Sequence, residues 1–101
     1  MPRYPISITE AAEQDLALIV EYITSDNPAA ALKLADKIEQ SILQLEEFPR
    51  IGTPPKNRRL ARLGYRMLIV EHYLVFYVLL DDETVEIRRI FSSRREYKFL
   101  F

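Results

Sequence analysis

The most constraining feature of the chain is a change of hydrophobic period near its middle. Before Phe48-Pro49 the apolar residues recur at helical spacing. After Tyr65 they gather in short runs rich in Val, Ile, Tyr and Phe, the composition of strands. A chain patterned this way must pack helices against a sheet.

Tyr4–Ile8 reads as an opening strand, with Tyr4, Ile6 and Ile8 on one face. Thr9 is placed as a helix N-cap and Glu10 as an acid in the first turn. Ala12, Leu16, Ile19 and Ile23 then mark one stripe of a helix over about Glu10–Thr24. Asn27 is the next cap, and Pro28 suits the first helical position, where its missing N–H costs nothing. Ala31, Leu34, Ala35, Ile38, Ile42 and Leu45 carry a second stripe to about Glu47, and Phe48-Pro49 ends it. Arg50–Arg59 reads as a basic loop, and from Leu60 the pattern turns to strand. Tyr65–Val70, Tyr73–Leu80 and Thr84–Phe91 are the strands, separated by Glu71-His72 and Asp81-Asp82-Glu83 as tight antiparallel turns. Tyr73–Leu80 is apolar on both faces and is expected at the centre. The fold expected is α+β, β-α-α-β-β-β: a helical hairpin on a mainly antiparallel four-stranded sheet, with a short C-terminal tail. One face of that sheet is expected to lie open or under a partner. The length of 101 residues makes residues 1–101 one domain.

Composition narrows the chemistry. With no cysteine there is no thiolate nucleophile, disulfide or Cys-type zinc site, which fits a reducing cytoplasm. His72 is the single histidine, so paired-histidine catalysis and most His-based metal sites are excluded, and no metal or cofactor is expected. Two glycines and no Gly-rich phosphate motif argue against a nucleotide-binding loop. The apolar runs are too short to span a membrane, and no secretory signal is expected after Met1–Pro5.

The net charge of −1 hides a division. Residues 1–49 carry Arg3, Lys33 and Lys37 against nine acids, a net of −6, whereas residues 50–101 carry eleven Lys/Arg against six acids, a net of +5. The basic half either faces something anionic or pairs with the acidic half. Arg58, Arg59, Arg62, Arg88, Arg94 and Lys98 are the candidate nucleic-acid or target contacts, with Tyr65, Tyr73 and Tyr97 interleaved. Arg pairs phosphates with a planar fork, and Tyr rings stack on bases. Alternation along a strand would put the neighbours Arg88 and Arg89 on opposite faces, so at least one of them is expected to be structural. His72, Asp81-Asp82-Glu83 and Glu46-Glu47 read as solvated turn or helix-end residues, and Ser92-Ser93 has no base beside it.

The segments "AAEQDLALIVEYI", "AALKLADKIEQSILQLEEFPRIG", "RLGYRMLIVEHYLVFYVLLDDETVEIRRI" and "SSRREY" together resemble the RelE/ParE toxin superfamily of bacterial type II toxin–antitoxin systems. The resemblance spans nearly the whole chain, and "L..FP..G", "GYR.L.V..Y.VFY" and "V.I.RI" in that order carry it. It implies one of two poisons, each silenced by a cognate antitoxin in a toxin–antitoxin hetero-oligomer. RelE-like members cut mRNA on the ribosome with basic side chains and a Tyr, without metal. ParE-like members inhibit DNA gyrase. For a nuclease the matching positions here are Arg66, Arg95 and the displaced Tyr97, while Leu68 and Leu74 stand where the nucleases carry basic residues. Arg62, Arg88 and Arg94 are the available replacements. Those losses favour the ParE-like expectation over the RNA-cutting one, with a catalytically inactive member as a further alternative. The resemblance also implies an antitoxin segment on apolar surface left exposed. Leu18, Val20, Leu32 and Leu43 lie off the core stripes, and Phe99 and Phe101 form an apolar tail, so these are the candidates.

Overall fold

The computed structural model describes residues 3–95 and 101. Strand β1 (Ile6–Ile8) leads into helix α1 (Glu10–Thr24) and helix α2 (Pro28–Leu43), which tightens into a 3-10 turn over Gln44–Glu46. A short helix α3 (Arg58–Arg62) follows, then strands β2 (Arg66–Val70), β3 (Tyr73–Leu79) and β4 (Val85–Ser92). The sheet order is β1-β4-β3-β2. β1 runs parallel to β4, and the other two pairings are antiparallel.

Local chemistry sets the helix starts. The Thr9 side chain accepts the Ala12 N–H, and Asn27 accepts the Ala30 N–H with Pro28 beside it in the first turn. Thr9 also ties the helix to the sheet: its N–H donates to the Ile87 carbonyl at 3.0 Å and its hydroxyl to the Arg88 carbonyl at 3.0 Å. The two expected stripes face the sheet. Ala12 of α1 and Leu34, Ile38 and Ile42 of α2 are buried with Leu45, Val70, Val75, Tyr77, Val85, Ile87 and Ile90, while Leu16, Ile19 and Ile23 pack at the margin. Burying an aliphatic side chain of this size contributes roughly 1.5–3 kcal/mol.

Three expectations need correction. The strand pattern does not begin at Leu60: Asn57 accepts the Leu60 N–H and starts α3, and Leu60 is buried as its anchor. The second sheet face is not left open. Leu60, Tyr65, Leu74, Phe76, Val78 and Phe91 form a second cluster there, and Phe101 packs on it. The Phe101 ring meets Tyr65, Phe76 and Phe91 edge-on at centroid distances of 4.9, 5.2 and 5.8 Å. Finally, strict alternation fails in β4. Phe76 faces Arg89 and Tyr77 faces Ile87, so Arg88 is the extra residue of a bulge. Ile87 and Ile90 both pack in the helix-side core, and the two arginines between them both stay out of it.

Candidate functional site

Two surfaces concentrate the groups that can recognise a partner. The first lies where α1 crosses the end of β4. Past Ser92 the chain turns, with the Ser93 N–H donating to the His72 carbonyl at 2.7 Å and the Arg95 N–H to the Ser92 carbonyl at 3.1 Å. Leu18, Ile19 and Tyr22 of α1, Tyr73, Phe91 and this turn enclose a groove of about 420 Å³, with Arg94 and Arg95 on its rim. Leu18 is 65% and Tyr22 80% exposed. They stand one helical turn apart, hence on one face.

Asp15 forms the wall of that groove. Its carboxylate takes the Arg89 guanidinium in a forked pair at 2.8 and 3.0 Å and also accepts the Ile90 N–H at 3.0 Å. Arg89 lies over the Phe91 ring at 4.6 Å. The Asp15 hydrogen bonds hold the Arg89 guanidinium above its ordinary pKa against the opposing effect of burial. Arg88 is held too: Nε donates to Glu86 at 2.8 Å and a terminal N–H to the Tyr65 hydroxyl at 3.2 Å. Bonding to Tyr65 first, and then to Glu86, raises its pKa.

The second surface surrounds the start of β2. Arg66 donates to the Arg50 carbonyl at 3.2 Å and the Gly52 carbonyl at 2.7 Å, and Thr53 bridges to Met67. These bonds lay the 50–53 loop along β2, and α3 leads into the same strand. Arg50, Lys56, Arg58, Arg59 and Arg62 are all exposed on this ridge. Beneath it, the Tyr77 hydroxyl accepts the Gly52 N–H and donates to the Pro49 carbonyl, both at 2.9 Å. Burial pushes the Tyr77 hydroxyl above its ordinary range, against the Gly52 bond and the Arg66 charge, which pull it down.

No group of three or more His, Cys, Asp or Glu among the described residues could hold a metal ion. His72 lines a separate pocket of about 300 Å³ with Lys33 and Lys37. No helix among the described residues is long and apolar enough to cross a membrane.

Residues 6–97 match the family model of the ParE toxin of type II toxin–antitoxin systems, parDE. The chain belongs to this family. Among solved structures, it is similar to the chromosomal ParDE TA system from P. aeruginosa, at a TM-score of 0.73 and 21% identity, over 89% of this chain and 96% of that one. It is also similar to the toxin–antitoxin complex RelBE2 from Mycobacterium tuberculosis, at a TM-score of 0.61 and 26% identity, over 91% of this chain and 93% of that one. No curated protein matches it significantly.

In this ParE-family toxin, two of the residues expected for a nuclease, Arg66 and Arg95, arise from separate positions along the sheet. Arg66 pairs with Tyr77, and Ser92, just before the Arg94-Arg95 turn, pairs with Tyr73. Four residues of β3 separate those positions, about 13 Å along the strand. Arg66 shares the helix-facing side of β2 with Leu68 and Val70, whereas Arg88 meets Tyr65 on the opposite sheet face. Tyr97, Lys98 and Phe99 lie outside the described residues. Arg58, Arg59 and Arg62 stand together on the ridge, and Arg94 stands apart on the groove rim. Leu18, Leu32 and Leu43 are exposed, at 65, 73 and 42%, Val20 is half-buried, and Phe101 packs inward on the sheet.

Sequence reasoning missed Tyr22, the members Arg50 and Lys56 of the ridge, and the Tyr77 latch. Tyr22 had a usable signal, since it follows Leu18 by four positions off the core stripe. The ridge had one too: residues 50–70 contain no acid. The latch had none, because it joins residues 25 and 28 positions apart.

Proposed function

We propose that this ParE-family toxin acts by binding and inhibiting DNA gyrase in the cytoplasm, rather than by cutting RNA. A cognate antitoxin silences it, in a toxin–antitoxin complex, by covering the α1 groove. One observation carries the choice of target. The positions expected to be cationic in an RNA-cutting relative are spent on packing or on internal bonds. Leu68 and Leu74 join the two core clusters, and Arg66 is engaged by the Arg50 and Gly52 carbonyls.

Cleaving RNA through its 2′-hydroxyl requires a base and cations aimed at the charge developing on the phosphorane oxygens. A single preorganised donor of that kind is worth roughly 2.7–4 kcal/mol of barrier. Two apolar replacements and one engaged arginine therefore weigh heavily against the chemistry. Inhibition by binding needs only a surface, and the groove and the ridge supply two.

The test pairs two assays on the purified chain. In a cell-free translation reaction, primer extension is expected to show no new mRNA ends. In a supercoiling reaction, gyrase is expected to lose activity with added toxin and to regain it when antitoxin is supplied. Codon-positioned mRNA ends that appear only with ribosomes would reverse the assignment in favour of the nuclease. Inactivity in both assays would leave an inert family member.

A further inference from the structure

We propose that the exposed ridge of Arg50, Lys56, Arg58, Arg59 and Arg62 is a binding surface for the phosphate backbone of duplex DNA. This goes beyond inhibition of gyrase, because it assigns the toxin a nucleic-acid contact of its own, and that contact can be read with no gyrase present.

The charge on the ridge is not answered from within the chain. No acid occurs from residue 50 to residue 70. Among the described residues, ion pairs join Arg3 to Glu46 and Glu47, Lys37 to Glu71, Arg88 to Glu86 and Arg89 to Asp15. None reaches the five ridge cations. Of the acids in residues 1–49, Glu46 and Glu47 pair with Arg3 and Asp15 with Arg89, so the ridge cations are left to solvent.

The fold holds the ridge in place. Asn57 caps α3, buried Leu60 anchors it to the sheet, and Arg66 and Tyr77 pin the 49–52 loop beside it. Arg58 and Arg62 are one turn apart, about 6 Å along the helix, and the Arg62 Nε donates to the Arg58 carbonyl at 3.4 Å. The anchored backbone carries these cations in one segment, so phosphates meet them without reordering of the main chain.

Composition selects the duplex over a single strand. Unpaired bases are captured largely by stacking on aromatic rings. Residues 50–64 contain no aromatic residue and Tyr65 is buried, whereas Phe48, 52% exposed, lines a shallow pocket with Arg50 at the start of the loop. The three arginines of α3, with no stacking platform in their own segment, suit backbone rather than bases.

The experiment is fluorescence anisotropy of a labelled duplex of about 25 base pairs, a length longer than two helical turns, titrated with the full chain at several salt concentrations. Each phosphate contact contributes about 0.9 to the slope of log affinity against log salt. Some five contacts predict a slope near −4 and a loss of roughly a hundredfold or more between 50 and 200 mM salt. The R58Q/R59Q/R62Q variant should flatten that slope by about 2–3 with an unchanged melting curve, since all three side chains are exposed. K33Q/K37Q, which removes two cations on α2, should leave it unchanged.

Three outcomes overturn the proposal. The triple variant could keep the wild-type slope. A single strand of the same length could bind tenfold tighter. Poly-glutamate at equal charge could displace the duplex as well as unlabelled duplex does, which would point to an acidic protein. If R58Q/R59Q/R62Q fails to fold, Arg59→Gln alone should lower the slope by about 1. A chain that binds duplex yet spares gyrase would fail the gyrase reading alone.

Discussion

Asp15 on the first long helix and Arg89 on the last strand form a two-toothed ion pair across 74 positions of sequence. The carboxylate does a second job by accepting the Ile90 N–H. β1 pairs with β4 only as far as Ile87, so beyond that point β4 has no strand on that side. Asp15 supplies an acceptor that a neighbouring strand would otherwise provide, and the bulge at Arg88 turns Arg89 out of the core to meet it.

Asp15→Ala should therefore cost more than a surface ion pair would. The Asp15 side chain is 12% exposed and the Arg89 side chain 26%, so the pair is partly screened, and the loss also leaves an N–H unpaired. About 1–3 kcal/mol is expected in urea unfolding. Arg89→Ala should cost less, because Asp15 keeps the Ile90 N–H. A double-mutant cycle showing no coupling would mean that the pair adds nothing beyond its separate contacts.

Gly52 is fixed by close approach. A Cβ at that position would lie 2.6 Å from the Tyr77 hydroxyl oxygen and 2.9 Å from the Met67 carbonyl oxygen. Gly52→Ala must push the 49–53 loop off the sheet, and Tyr77→Phe removes the hydroxyl that holds the loop there. Each is expected to destabilise the fold by about 1–3 kcal/mol. The two effects should be partly non-additive, because Tyr77→Phe removes the closest clash but leaves the ring Cε1 at 2.7 Å and the Met67 carbonyl oxygen at 2.9 Å. Full additivity in the double variant would mean that the two residues do not act through one loop.

The same hydroxyl predicts behaviour at alkaline pH. An unfolded Tyr ionises near pH 10. Burial raises the Tyr77 value in the fold, so the native state holds the proton more tightly than the unfolded chain does. The stabilisation is complete below about pH 10 and is lost as pH rises through the higher native value. Urea midpoints measured from pH 8 to 11 should fall at the alkaline end, and less steeply for Tyr77→Phe than for the wild type. Parallel curves for the two proteins would remove Tyr77 as the cause.

What the sequence made legible was whatever is decided by a few neighbouring residues. Thr9 and Asn27-Pro28 announce both long helices because a cap is a local hydrogen bond. Tyr73–Leu79 announces its interior place because both of its faces are apolar. Helix α3 escaped because five residues with one large apolar side chain, Leu60, show no period. The bulge escaped because "EIRRI" alternates acceptably up to Arg88, and only the partner strand reveals the extra residue. The two sites differ in the same way. The ridge cations are close together in sequence, whereas the engagement of Arg66 by carbonyls 14 and 16 positions away is a tertiary event.

Leu18 and Tyr22 test the proposed antitoxin contact. Both are more than half exposed, at 65 and 80%, and they flank the groove beneath Arg94 and Arg95. Replacing an exposed apolar side chain with Glu costs the isolated fold little, within about 0.5 kcal/mol. Burying that Glu against an apolar antitoxin segment would cost far more, since the charge must be desolvated unpaired. Leu18→Glu and Tyr22→Glu are therefore expected to weaken the cognate antitoxin by tenfold or more, about 1.4 kcal/mol each, with unchanged melting temperatures. Leu32→Glu on α2 asks whether the second helix shares the contact. Titration calorimetry reads all three variants. If α1 tolerates both charges and Leu32→Glu alone loses affinity, the antitoxin lies along α2 and the groove is left for another partner.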